Sequence, residues 1–189
     1  MKEMMKRVIK SKVGMLMLTG ILVFGLAVSG CGKAPDTKPG EGQPPISSQP
    51  AETKVNVTLY FPDDQAMYLV PEQREVEKRS ETLEELVLRE LVKGPAEADH
   101  GRAVPEEAKV ISVNVVEGVA YVNFSKELRT KHWGGSTGET MTIYAIVNSL
   151  TELDGIEKVQ FLLEGEKMDT LAGHYDTSKP MGPNQELVK

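Results

Sequence analysis

The segment His132-Trp133-Gly134-Gly135-Ser136-Thr137-Gly138-Glu139 holds the densest set of side chains that could recognise a ligand. Its glycines let backbone approach another molecule closely, and free N–H groups at a helix start can hold an anion. Ser136 and Glu139 also have S-x-x-E spacing, in which the two side chains satisfy those donors themselves. We favour that capping reading, since Glu139 would repel an anion. Trp133 is the chain's single tryptophan. Exposed, it suits a sugar ring or a protein surface; buried, it staples the loop.

His100, His132 and His174 lie too far apart in sequence to form a local metal pair. His174 near Asp176 could orient a proton, but in a polar tail solvation is the plainer reading. Asp63-Asp64 follows Pro62 and reads as a turn sooner than as a calcium ligand pair. There is no G-x-S-x-G, no H-E-x-x-H and no phosphate loop ending in G-K-[ST]. No catalytic or metal-binding residue is assigned, and the expectation is a non-enzyme.

The elements that must position these residues follow from periodicity. Val55, Val57, Leu59 and Phe61 alternate with polar neighbours and predict a half-buried strand. Residues 66–70 predict a second, weaker strand ending at Pro71. Residues 82–93 put Leu83, Leu86, Val87 and Leu91 on one helical face, with Thr82 and Glu85 in capping-box spacing and Gly94-Pro95 as the stop. Two β-rich runs, 110–116 and 119–124, flank Glu117-Gly118 and predict a hairpin. In it Ile111, Val113 and Val115 would share the inner face. Residues 139–153 again show helical spacing through Ile143, Ile146, Val147, Leu150 and Leu153. Residues 158–163 make a last strand, and the tail beyond, with Gly173, Pro180, Gly182 and Pro183, is expected to be irregular.

The order β-β-α-β-β-α-β predicts an α+β fold: one small mixed or antiparallel sheet of about five strands with two helices on one face. The other face would carry Asn56, Thr58, Tyr60, Ser112, Asn114, Tyr121 and Asn123. Solvation explains such a face; so does a partner, for which Tyr60, Asn114, Tyr121 and Asn123 are the candidate contacts.

The first 30 residues are a different object. Five of the first 12 residues are Lys or Arg against one Glu, and residues 13–28 carry no charge. A basic start before a short apolar run predicts an export signal; an uncleaved helix is the alternative. Val28-Ser29-Gly30-Cys31 decides between them, because it resembles a bacterial lipobox. That resemblance implies a diacylglyceryl group on the Cys31 thiol and removal of residues 1–30. The covalent lipid is the only non-protein group expected. Residues 31–54 then form the lipidated cysteine and a Pro/Gly-rich tether that cannot bury a core. The expected location is the outer face of the cell membrane, held by acyl chains.

Bulk composition agrees. The 189 residues carry 22 basic and 28 acidic side chains, a formal −6, and loss of the leader makes the remainder more acidic still. That charge argues against nucleic acid, whose phosphates need a basic face. One cysteine excludes a disulfide framework.

VTLYFPDDQAMYLV (57–70), ELVKGP (90–95), AKVISVNVVEGVAYVNFS (108–125) and GGSTGETMTIYAIVNSLTELDGIEKVQFLLEG (134–165) together resemble the GerMN domain family. The resemblance covers most of a folded part placed at 55–168, with 169–189 as the tail. It implies a fold similar to the ring-building motifs of secretion-type assemblies and an association with sporulation and spore germination. It also implies that the chain is exported. The family's eponymous protein carries two tandem copies, whereas one is found here. The partner implied is an unidentified envelope protein, with self-association compatible; the alternative is a small ligand or cell-wall glycan bound at 132–139.

Overall fold

The structure is a computed structural model, described here for residues 53–189. The export signal, Cys31 and most of the tether lie outside the described residues. Elements run β1 (Thr53–Pro62), β2 (Leu69–Lys78), α1 (Leu83–Lys93), β3 (Val110–Val116), β4 (Val119–Phe124), α2 (Glu127–Thr130), α3 (Ser136–Thr151), β5 (Lys158–Leu163) and β6 (Glu166–Lys167), with a 3-10 turn at Gln185–Leu187.

The α+β class and the order of the main elements are as expected, but the strands divide into two sheets. β1 and β2 form an antiparallel pair, and β3-β4-β5-β6 form a second sheet in that order. β4 and β5 are parallel, which requires the crossover that α3 supplies. α3 therefore does more than cover one face. It packs on β1, on β5 and on α1, and every residue from Met141 to Leu150 is buried. Its apolar stripe was legible, but nothing in the periodicity marked the burial of its polar side. Each buried polar group has a partner instead: Thr142 donates to Ala103 O at 2.6 Å, and Ser149 donates to Ala145 O at 2.7 Å and accepts from Tyr60 N–H at 2.9 Å.

β2 departs most from expectation. It runs through Pro71 to Lys78, because its inward positions are Glu72, Arg74 and Val76 and so hide the alternation. Glu72 Oε2 accepts from Arg74 at 2.6 Å, and Glu72 Oε1 lies 2.7 Å from His100 Nδ1. Arg74 also donates to Gly94 O at 2.8 Å, and Arg102 donates to Val92 O at 2.7 Å. Two guanidinium groups thus satisfy carbonyls at the C-terminus of α1, where positive charge is favoured. At the other end the Thr82–Glu85 box forms as expected. Leu86, Val87, Leu88 and Leu91 are fully buried below, each contributing about 1.5–3 kcal/mol relative to exposure.

The β3–β4 hairpin has the expected two-residue turn, with Glu117 at φ 49° and Gly118 at φ 77°. A bulge between Val110 and Ser112 turns Ile111 outward, so it does not join the inner face. The tail is irregular but packed. Met168, Leu171 and Thr177 are buried, Met181 exchanges two backbone bonds with Val159, and Lys189 N–H reaches Leu69 O at 3.1 Å.

Candidate functional site

Glycine shapes the loop before α3. Gly134 and Gly135 take φ of 76° and 79°, a region that costs glycine little. Gly138 is needed for close approach: a Cβ there would lie 2.6 Å from Trp133 Nε1. Trp133 therefore folds back over the first turn of α3. Its ring stacks on His132, with centroids 4.8 Å apart and planes at 23°, yet the residue stays 50% exposed.

His132 is held at both nitrogens. Gly134 N–H donates to Nδ1 at 2.9 Å, and Nε2 lies 3.0 Å from Thr142 Oγ1. Thr142 has already directed its proton to Ala103 O. Nε2 must then carry the ring's hydrogen, and the imidazole is neutral. Burial pushes its pKa down in the same sense, against an opposing pull from the Glu139 carboxylate.

Glu139 corrects the capping-box expectation. Gly135 is the N-cap residue, Ser136 and Thr137 are exposed, and no side chain caps the helix. Glu139 is fully buried and reaches the C-terminal segment. Its Oε1 accepts from Thr170 Oγ1 at 2.7 Å, Leu171 N–H at 3.0 Å and Ala172 N–H at 2.8 Å. Its Oε2 accepts from His174 N–H at 2.8 Å and faces His174 Nδ1 at 3.1 Å. Burial by itself raises the carboxyl pKa. The donors, led by Ala172 N–H, outweigh burial and bring it down to about 2. A turn offering several N–H groups wins over a lone N-cap amide. His174 thus pairs with Glu139, while Asp176 accepts from Ser178 N–H at 2.9 Å.

Clefts flank the loop on two sides. One, of about 700 Å³, is lined by Arg129, His132, Gly134, Lys167 and Asp169. The other, of about 410 Å³, lies between Met67 of the β1–β2 hairpin and Ser136, Thr137 and Thr140. Asp63 makes that hairpin's turn, accepting from Met67 N–H at 2.8 Å.

A family model described as "Germane: Sporulation and spore germination" matches residues 58–169, more than half of the chain. The chain belongs to the Germane, or GerMN, family. Among solved structures it is similar to the tandem GerMN domains of the sporulation protein GerM from Bacillus subtilis, with TM-score 0.60 and 20% identity, covering 69% of this chain and 46% of that one. It thus spans less than half of that tandem structure. The first GerMN domain of the same protein gives TM-score 0.57 and 20% identity over 70% and 98% of the two chains. A candidate lipoprotein from Clostridium perfringens gives TM-score 0.50 and 27% identity over 70% and 89%. Among curated proteins no relative matches significantly.

The remaining candidate contacts of this GerMN chain do not share one face. Tyr60 lies in the two-stranded sheet and is buried, its hydroxyl on Glu152 at 2.7 Å and its pKa pushed up to about 12, first by burial and then by that carboxylate. Asn123 is buried too and accepts from Gly165 N–H at 2.8 Å. Asn114 and Tyr121 are cross-strand neighbours on the open side of the four-stranded sheet. Sequence reasoning missed the outer edge of that sheet. There Ile111, Val115 and Val116 are 50%, 41% and 55% exposed. The signal was the consecutive pair Val115-Val116 beside a turn, which no single sheet face can bury. Among the described residues no helix is long and apolar enough to cross a membrane.

Proposed function

We propose that the chain is an exported, lipid-anchored, non-enzymatic module that binds proteins of the cell envelope and supports an assembly there during sporulation or germination. One observation carries this reading: chemistry turns inward and adhesive surface outward. The carboxylates Glu72 and Glu139 and the imidazoles of His100 and His132 are held by internal partners. Met67, Ile111, Val115, Val116 and Trp133 stand exposed instead. Exposed apolar side chains gathered at an edge or a loop mark binding surfaces. Family membership supports the sporulation setting. The anchor rests on Val28-Ser29-Gly30-Cys31 and the apolar run before it, and the likeness to a candidate lipoprotein supports it.

Intact-mass analysis and membrane fractionation of the full chain and of Cys31→Ala test the reading. The parent is expected to lose residues 1–30, gain acyl mass and stay with the membrane, whereas the variant is released. An unprocessed parent with a free thiol overturns it.

A second reading, a cell-wall glycan receptor, is favoured by the exposed Trp133 ring beside a polar cleft. A sugar ring stacks well on such a surface. Glycan pull-down that is lost in Trp133→Ala supports it, and no glycan binding by the parent removes it.

A further inference from the structure

We propose that β3 is a self-pairing edge: two copies of this chain join β3 to β3, antiparallel, about a two-fold axis at Val113. The inference rests on the assembly reading above and names the partner as a second copy.

β3 is the outer strand of the β3-β4-β5-β6 sheet. In antiparallel pairs, residues bonded to the partner strand alternate with residues whose N–H and C=O point away. Val116 and Val119 close the two-residue turn, so Asn114 and Ser112 face β4 and Val113 and Val115 offer their backbone groups outward. An edge of this kind is a template for another strand. The usual protections are missing from Ser112 to Val116, a stretch with no charge and no proline. The bulge lies at one end, at Ile111.

The strand is also complementary to itself. With the bulge counted, a two-fold at Val113 sets the bulged pair Val110-Ile111 against Val115, so apolar side chains of the two copies adjoin at each end. Ser112 falls opposite Asn114. A chain of net charge −6 repels its own copies in general; this edge carries no charge from Ser112 to Val116. The pairing makes one continuous sheet from two four-stranded ones.

Register-specific cross-linking tests it. Full chains carrying Ser112→Cys and Asn114→Cys, with different tags, are expressed together and oxidised mildly. In the proposed pair these positions form a non-hydrogen-bonded couple with Cα atoms about 4.5 Å apart, within disulfide reach. The expected result is a mixed disulfide dimer at least about tenfold above either variant alone or the parent, which controls for Cys31. Val115→Pro removes an outward N–H at a position 41% exposed, and Val115→Lys puts a charge on the edge; each is expected to abolish the dimer without lowering the melting temperature. No mixed dimer above the single-variant background, or a dimer indifferent to both changes, overturns the proposal. Recovery of another envelope protein on the same chain without the 112–114 bond overturns self-pairing and leaves the assembly reading standing.

Discussion

Replacing Glu139 by glutamine keeps the side chain's size and removes its charge. The carboxylate accepts from Thr170, Leu171 and Ala172 on one oxygen and from the His174 backbone on the other. Glutamine can turn its oxygen to the first group, but its NH₂ then meets the His174 N–H donor to donor. A buried donor left unsatisfied costs about 1–3 kcal/mol. The pKa leads to a similar figure. A fall from 4.5 to about 2 in a fully buried group corresponds to about 3 kcal/mol at about 1.4 kcal/mol per unit. In a domain of this size that lowers the melting temperature by about 6–12 °C. The pKa is depressed in the folded state, so the stabilisation is complete above pH 4.5 and fades as pH falls toward 2. Urea unfolding of parent and Glu139→Gln at pH 7 and pH 3 reads both effects. The gap is expected to be about 3 kcal/mol at pH 7 and less than half of that at pH 3. Hydrogen exchange at Leu171, Ala172 and His174 should quicken in the variant. A gap under about 0.5 kcal/mol at pH 7, or one unchanged at pH 3, refutes the clamp.

Three further outcomes are expected. The His132 pKa, followed by NMR, should lie below 6.5, with Nε2 protonated and Nδ1 accepting; because the folded value is depressed, the loop's contribution is complete above pH 6.5 and is lost as pH falls through the folded value. A His132 that titrates at or above 6.5 contradicts that bonding. Gly138→Ala should displace Trp133, since the new Cβ meets its Nε1 and Cδ1, and the single tryptophan's fluorescence should shift; an unchanged spectrum contradicts the close approach. Glu72→Ala should cost about 1–3 kcal/mol, because Ala96 N–H and His100 lose their buried acceptor while Arg74 keeps only Glu90 and Gly94 O, whereas Lys54→Ala, which breaks an exposed pair with Glu75, should leave the melting temperature unchanged. Equal losses from both would contradict the ranking by burial.

What was legible in the sequence was local. The Thr82–Glu85 box, the Gly94 stop and the Glu117-Gly118 turn each depend on residues a few positions apart, and each forms as read. The end of β2 was hidden because burial there is carried by an ion pair: Glu72 and Arg74 occupy inward positions that an apolar pattern cannot mark. Glu139 looked like a cap because its true donors lie more than 30 residues away, in a turn with no periodic signal. The division into two sheets is likewise a long-range matter, since α3 enters between β1 and β5. Tyr60 followed the strand alternation that suggested an open face, but the Ser149 and Glu152 groups that bury it come from α3 and its C-terminal end.

The proposed function requires that the chain, once anchored, act through its surface and in complexes. Chemical cross-linking of intact sporulating cells, followed by denaturing electrophoresis and mass spectrometry of the tagged chain, addresses it directly. The expected result is adducts heavier than the processed chain that contain a second copy or another envelope protein and that diminish in Cys31→Ala. A membrane-held chain found wholly as monomer would contradict it.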